Sequence, residues 1–173
     1  KLGQAKFMST IDLTKGYWQI PLAPSAREKT AFATPSGLYH FKVLPFGLHG
    51  TPATFQRLMD TVLRPHREYA TAYLDDIVVF SPTWERHLLH LGNLLDALEN
   101  AVLKANPQKS ILATDQINYL GYQIHAGNIT PQVDKVEAIR NIPLPSTKKE
   151  IRAFLGLAIT GGLVQIFLEW LVH

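Results

Sequence analysis

The stretch "ATAYLDDIVVFS", residues 70–81, sets two adjacent aspartates, Asp75 and Asp76, between runs of apolar and β-branched residues. Two carboxylates a few ångströms apart on a half-buried hairpin repel each other unless something positive lies between them. A hard divalent cation with oxygen ligands meets that need, and a solvated polar turn avoids it. A third acid, Asp12, ends the run "KFMSTIDL". Histidines 87 and 90 stand three apart and could form a metal pair, but exposed or core-edge histidines are the favoured reading of that spacing, and they are set aside. The chain has no cysteine, which excludes disulfides, Cys-based zinc sites and a thiol nucleophile. Any metal must therefore be held by carboxylates or histidines.

The elements around these acids come next. A two-residue hairpin turn prefers Asn-Gly or Asp-Gly, so Asp75-Asp76 is poor turn chemistry. The flanks Ala70–Leu74 and Ile77–Ser81 still have the β-branched and aromatic enrichment of paired strands, so local turn preference is overruled. Residues 6–13 read as a strand with Asp12 at its end, and "TKGYWQIPL" then turns the chain. "KTAFATP" and "LYHFKVL" read as two strands joined through Pro35-Ser36-Gly37. From Thr51, as N-cap, with Pro52 at the first position, Phe55, Leu58, Met59, Val62 and Leu63 recur at helical spacing. The segment after the hairpin carries Trp84, Leu88, Leu91, Leu94, Leu95, Leu98 and Val102 on one broad face, an amphipathic helix packed on a sheet. "LKANPQKS" is a basic loop. "INYLGYQIHAGNIT" reads as a strand followed by a turn at Gly127-Asn128, and Thr130 and Pro131 open another helix. "STKKEIRAFLGL" is the last helix, with Ser146 and Glu150 near its start. The order βββαββαβα belongs to a mixed α+β palm with an antiparallel sheet.

The 173 residues, 46% of them hydrophobic, suffice for one domain with a sizeable core. The net charge of +3 permits a nucleic-acid partner without requiring one. No signal-peptide pattern opens the chain, so an intracellular setting, cytoplasmic or particle-associated, is the expectation. Residues 154–172 have about the length of a bilayer span, but Gln165, Glu169 and the Gly161-Gly162 pair weaken that reading, and no membrane partner is expected.

Taken together, "IDLTKGYWQIPL", "LPFGLHGTPATFQRLM", "YLDDIVVFS", "LKANPQKS", "YLGYQI" and "IRAFLGLA" resemble, in order and spacing, the palm of a reverse transcriptase of the gypsy-type LTR-retrotransposon family. Retroviral enzymes are relatives, and the resemblance covers about residues 5–158. It implies an RNA-directed DNA polymerase palm, helices packed on one face of the sheet, and a remnant of the fingers at residues 22–45. It also implies that Asp12, Asp75 and Asp76 converge on two magnesium ions, with manganese as an alternative, and that the Leu13 carbonyl completes a metal's shell. Backbone N–H groups near Lys15 and Gly16 would cradle a triphosphate. Tyr17 matches the steric gate that excludes a sugar 2′-hydroxyl, although a plain core aromatic is the alternative. Phe46 and Gly47 would meet the incoming nucleotide, and Lys109 would face pyrophosphate or stand as a solvated surface lysine. Leu120, Gly121 and Tyr122 match the primer grip.

The partners so implied are an RNA or DNA template with its primer and a dNTP, within a polyprotein that also carries ribonuclease H. Two departures stand out: most of the fingers are expected to be missing, and residues 159–173 read as a divergent tail. On those grounds this chain alone is expected to have little polymerase activity. A remnant that binds nucleic acid without catalysis remains the competing reading.

Overall fold

A computed structural model of the chain describes residues 5–125, 128–134, 137 and 145–160, with residues 157–160 described by their backbone only. The chain divides into two compact units, residues 1–115 and 116–173.

The first unit is built on strand β1 (Phe7–Asp12). Two short strands follow, β2 (Phe32–Thr34) and β3 (Gly37–Tyr39), after a four-residue helix α1 (Pro24–Arg27). Next come helix α2 (Thr51–Val62), strands β4 (Ala70–Tyr73) and β5 (Asp76–Ser81), helix α3 (Trp84–Asn100) and strand β6 (Ile111–Thr114). The main sheet has the order β4-β5-β1-β6, with every pairing antiparallel. In an extended strand, side chains two apart share a face. Ile11 and Leu13 from the β1 segment and Ile77 and Val79 from β5 accordingly meet Phe55, Met59 and Leu63 of the α2 segment and Leu91, Leu94 and Leu98 of α3 in one buried cluster. The expected α+β palm, with helices against one face of an antiparallel sheet, is what this unit forms.

Several local readings are corrected. The pairing Tyr73↔Asp76 leaves Leu74 and Asp75 as the two turn residues, so Asp76 opens β5 instead of sharing the turn centre. Leu74, not an aspartate, takes the left-handed conformation (φ 56°). A glutamine on α2 makes this tolerable: the Gln56 side chain accepts from the Leu74 N–H at 2.8 Å and donates to the Ala72 carbonyl at 3.2 Å. Thr51 does not cap α2. Gly50 holds that position, and the buried Thr51 hydroxyl donates to the Pro45 carbonyl at 3.0 Å. The inward face of α3 is narrower than its apolar pattern, because His87, Leu91, Leu94 and Leu98 are buried while Trp84, Leu88, Leu95 and, beyond the helix, Val102 are exposed. Strand β6, unsignalled by alternation, joins β1 across a register shift between Met8 and Thr10. The two strands before the "LPFG" segment are shorter than read and span only three residues each.

The second unit holds strands β7 (Gln116–Tyr119), β8 (Tyr122–His125) and β9 (Asn128–Pro131), paired in that order, and helix α4 (Lys148–Thr160). The segment read as one strand from Ile117 is thus a hairpin that turns at Leu120-Gly121, both at positive φ. That backbone is what two-residue hairpins favour. Thr130 and Pro131 belong to β9 and do not open a helix; a proline is tolerated at the end of an edge strand. Gly127, most of the helix expected up to Ile142, and residues 161–173 of the expected tail lie outside the described residues. At the start of α4 the cap is Thr147, whose hydroxyl accepts from Glu150 N–H while the Glu150 carboxylate accepts from Thr147 N–H, a reciprocal capping box. Those hydrogen bonds and the ones from Ser146 hold the Glu150 carboxyl below its ordinary range. Among the described residues no helix is long and apolar enough to cross a membrane.

A buried polar chain runs beneath the sheet. Ser9 Oγ accepts from the Ala113 N–H at 2.8 Å and contacts His87 Nε2 at 2.8 Å, while His87 Nδ1 meets Ser81 Oγ at 3.0 Å. Ser81 Oγ also meets His90 Nδ1 at 2.8 Å. Assigned as one directed series, Ser9 O–H donates to Nε2, Nδ1–H donates to Ser81, and Ser81 O–H donates to His90. The series requires a neutral His87, which has no solvent exposure. Burial, and then the nearby His90, lower its pKa from the ordinary 6.5. A base whose folded pKa lies below its unfolded value binds fewer protons when folded, so stability is full above the unfolded value and falls as pH drops below it. Denaturant midpoints of unit 1 should therefore decline as pH falls below about 6.5. A His87→Gln variant, less stable at neutral pH, should show a shallower decline; an equally steep decline would place the dependence elsewhere.

Candidate active site

The register of β1 against β5 runs from Phe7↔Ser81 through Ile11↔Ile77 to Asp12↔Asp76. Asp12 and Asp76 therefore lie directly opposite each other on neighbouring strands, where Cβ atoms are typically about 4.5–5.5 Å apart. Asp75 is one residue back, on the turn, and its carbonyl accepts from Leu13 N–H at 3.1 Å. Because Leu13 turns its N–H toward the hairpin, its C=O faces the same edge of this extended segment. Burial, then the charges of Asp75 and Asp12, hold the Asp76 carboxyl above its ordinary 3.8, with Lys109 pulling the other way. Lys109 Nζ stands 3.9 Å from Asp12 Oδ2. Among the described residues no group of three or more acidic or imidazole side chains is arranged to hold a metal ion. The three acids are thus neighbours in fold and in electrostatics, without forming a closed cage.

The basic loop is tied to β1 by main-chain bonds. Asn106 N–H donates to the Asp12 carbonyl at 2.8 Å and Thr14 N–H to the Lys104 carbonyl at 2.9 Å. Ser110 Oγ accepts from Asp12 N–H at 3.3 Å and donates to the Asn106 carbonyl at 2.7 Å. These contacts explain why Lys109, though exposed, stays beside Asp12.

Beyond β1, Lys15 adopts a left-handed conformation (φ 50°), and residues 16–19 form a short 3-10 turn. Gly16 is required here by proximity: a Cβ would lie 2.9 Å from Phe55 Cζ and 3.2 Å from Asp75 Cβ. Tyr17 is wedged between Phe46 and Phe55, at centroid distances of 5.1 and 5.3 Å. Burial, then the charge of Asp75, raise the Tyr17 pKa above its ordinary value. Phe46 is 62% exposed and also meets Trp18, and Gly47 has φ 87°. The Lys15 ammonium rests over the Trp18 ring at 5.1 Å. Asp12, Leu13, Lys15, Gly16, Tyr17, Phe46, Asp75, Asp76 and Lys109 all belong to unit 1. Leu120, Gly121 and Tyr122 form the β7–β8 turn of unit 2, where the Gly121 carbonyl accepts from Gln132 N–H at 3.1 Å.

Sequence reasoning missed Gln19. Its amide donates to the carbonyls of Thr14 (2.7 Å) and Lys104 (3.0 Å) and accepts from Lys104 N–H (2.6 Å), joining the turn after β1 to the basic loop. Nothing in a lone glutamine within "GYWQIPL" signals that role.

Residues 1–124 match the family described as reverse transcriptase (RNA-dependent DNA polymerase). The chain belongs to the reverse transcriptase family. It is 43% identical over 157 residues to the retrovirus-related Pol polyprotein from transposon opus of Drosophila melanogaster, covering 90% of this chain and 16% of that protein. Against the Pol polyprotein from transposon gypsy of the same organism the identity is 38% over 158 residues, covering 91% of this chain and 15% of that one. The chain thus spans about one-sixth of the length of these curated relatives. A solved foamy viral protease-reverse transcriptase dRH in complex with double-stranded DNA superposes with a TM-score of 0.82 at 29% identity, covering 89% of this chain and 27% of that chain. A second, bound to an RNA/DNA hybrid, gives 0.78 at 29% identity, covering 91% and 22%.

The raised Asp76 carboxyl generates a prediction within this reverse transcriptase palm. A carboxyl with a folded pKa above its unfolded value costs stability as pH rises through that interval, so its ionised form at neutral pH is a liability. Asp76→Asn should raise the thermal midpoint of the cation-free chain at pH 7, and the gain should shrink as pH is lowered toward 3.8. No gain at pH 7 would show that the cluster's repulsion is relieved by other means.

Proposed function

We propose that this chain is the palm of an RNA-directed DNA polymerase in which Asp12, Asp75 and Asp76 bind two divalent cations for nucleotidyl transfer. One observation carries the reading: the β1/β5 register sets Asp12 opposite Asp76, with Asp75 on the adjoining turn, in a chain of the reverse transcriptase family. The donor set fits hard cations, because it is all oxygen, and burial together with the neighbouring charges of Asp75 and Asp12 already raises the Asp76 pKa. When bound, two magnesium ions, or manganese in their place, would stabilise the attacking and leaving oxygens of an in-line phosphoryl displacement. The Leu13 carbonyl would add one neutral oxygen to the acid set.

In this reading the primer 3′-hydroxyl gives up its proton to water as its oxygen bonds the α-phosphorus of a dNTP, the α-phosphorus bond to the bridging oxygen breaks, and pyrophosphate leaves with that electron pair. The chain's residues mainly position and neutralise, which is most of what catalyses phosphoryl transfer. Backbone N–H groups around Lys15 and Gly16 face the triphosphate, and Lys109 exchanges its contact with Asp12 for the leaving phosphates. Phe46 and Gly47 contact the nucleotide. Tyr17, backed by Phe46 and Phe55, stands against a sugar 2′-hydroxyl. The template and primer are an RNA or DNA strand and its complement, with Leu120, Gly121 and Tyr122 holding the primer end; the DNA and RNA/DNA complexes of the similar foamy viral enzymes support this class of partner.

Two measurements test the proposal in a polymerase that joins this segment to the flanking regions of a transposon relative. Primer extension on an RNA template with magnesium should occur, and Asp75→Asn should lower kcat by about 10²- to 10³-fold. Extension that survives Asp75→Asn undiminished would remove the two-cation assignment. In single-nucleotide assays, Tyr17→Val should increase ribonucleotide incorporation relative to deoxynucleotide. Unchanged sugar selection would return Tyr17 to the role of a core aromatic.

A further inference from the structure

The turn that carries Asp75 is built from unfavourable parts. Leu74 stands at positive φ, where a leucine is strained relative to a right-handed or extended conformation. Neither turn residue is glycine or asparagine, and three acids lie close by. Something outside the hairpin must hold it, and one side chain reaches it from another element. Gln56 of α2 accepts from Leu74 N–H through Oε1 at 2.8 Å, and its Nε2 donates to the Ala72 carbonyl at 3.2 Å and to Asp60 Oδ1 at 3.0 Å. On the opposite side Leu13 N–H donates to the Asp75 carbonyl at 3.1 Å. The turn is therefore held from two elements: Gln56 of α2 bonds Leu74 and Ala72, and Leu13, just after β1, bonds the Asp75 carbonyl.

We propose that Gln56 is a positioning residue for the Leu74-Asp75 turn, in which it locks Leu74 in the left-handed form that sets Asp75 and the adjoining Asp76 for cation binding. The proposal rests on the two-cation reading above. Gln56 touches neither cation nor nucleotide in this role; it acts through the backbone of Leu74 and Ala72. Both halves of the amide are used, since the oxygen satisfies a turn N–H and the nitrogen satisfies a strand carbonyl. Asp60, one helical turn further along α2, orients the amide by accepting from Nε2 and so fixes which atom points at Leu74.

The test is Mn2+ binding to the full 173-residue chain, followed by electron paramagnetic resonance, with thermal midpoints recorded in parallel. Gln56→Met keeps the volume and removes every hydrogen bond; it should weaken Mn2+ binding about 10- to 100-fold, the usual cost of losing a group that orients metal ligands. Adding Leu74→Gly, which takes positive φ without steric cost, should recover a substantial part of that affinity in the Gln56→Met background. A role in α2 packing alone would not be rescued from the turn. If Gln56→Met does not fold, Gln56→Asn, which withdraws the amide by one methylene, takes its place with the same expectation. Asp75→Asn separates the two claims. If it abolishes Mn2+ binding while the folded Gln56 variant binds as wild type, the positioning role is overturned and the two-cation reading stands. If neither substitution changes binding, both fall.

Discussion

The antiparallel register between β1 and β5 is the constraint on which the site depends. Side chains alternate along a strand, so a slip of one residue would carry Asp12 to the face packed by helices and separate it from Asp76. The register is secured from the pair next to the acids back to the far end of the strands. Ile11 and Ile77 pair directly and are buried, Phe7 is opposite Ser81, and the Ser9–His87–Ser81 hydrogen bonds tie both strands to α3. An apolar pair and two hydroxyls thus determine where two carboxylates meet. The His87 imidazole does this as a neutral structural group, which is why a spacing that could suggest metal ligation belongs instead to the core.

The site side of the sheet is under tension that the core side absorbs. Asp76 is harder to ionise than a solvated aspartate, Leu74 stands in the left-handed region, and Gly16 packs so tightly against Phe55 and Asp75 that no side chain fits. None of these features helps the unit fold. Each brings charge or backbone close to one place, which suits the cation and phosphate site proposed above. The local rules of turn and charge fail at Leu74-Asp75-Asp76 together, and such concentrated failure marks function better than any one of the three alone.

How much could be read from the sequence follows from the range of the interactions involved. The α2 helix and the β4–β5 hairpin were legible because periodicity and β-branched content are local signals. The acids were legible because adjacent aspartates between apolar runs have no ordinary structural explanation. The turn centre was misplaced by one residue because Gln56, eighteen positions before Leu74, supplies what the turn lacks. Thr51 has the type and position of a cap, yet its hydroxyl is used on the Pro45 carbonyl. Strand β6 carries no alternation, since Ile111 and Leu112 are both exposed and Ala113 bulges at positive φ to reach Ser9 Oγ. Leu88 and Leu95 follow the apolar pattern of α3 but stay exposed, and Trp84, exposed as well, meets the sheet edge-on at Phe7; periodicity alone does not mark where burial ends.

The elements around the acids share a way of being held. The turn after β1, the Pro45–Gly47 loop, the Asp75 turn and the basic loop are each fastened by a neutral polar side chain bonded to main chain: Gln19, Thr51, Gln56 and Ser110. Neutral groups can do this next to three carboxylates without adding charge that would compete with a cation or a phosphate, whereas a lysine or glutamate in the same place would alter the field it was meant to support. Lys109 is the instructive contrast. Its ammonium lies beside Asp12, yet it is solvent-facing and held at 3.9 Å, a weak contact that can be given up. Permanent fastening by amides and hydroxyls, combined with an exchangeable ammonium, keeps the carboxylates in place while leaving their charge free for whatever arrives.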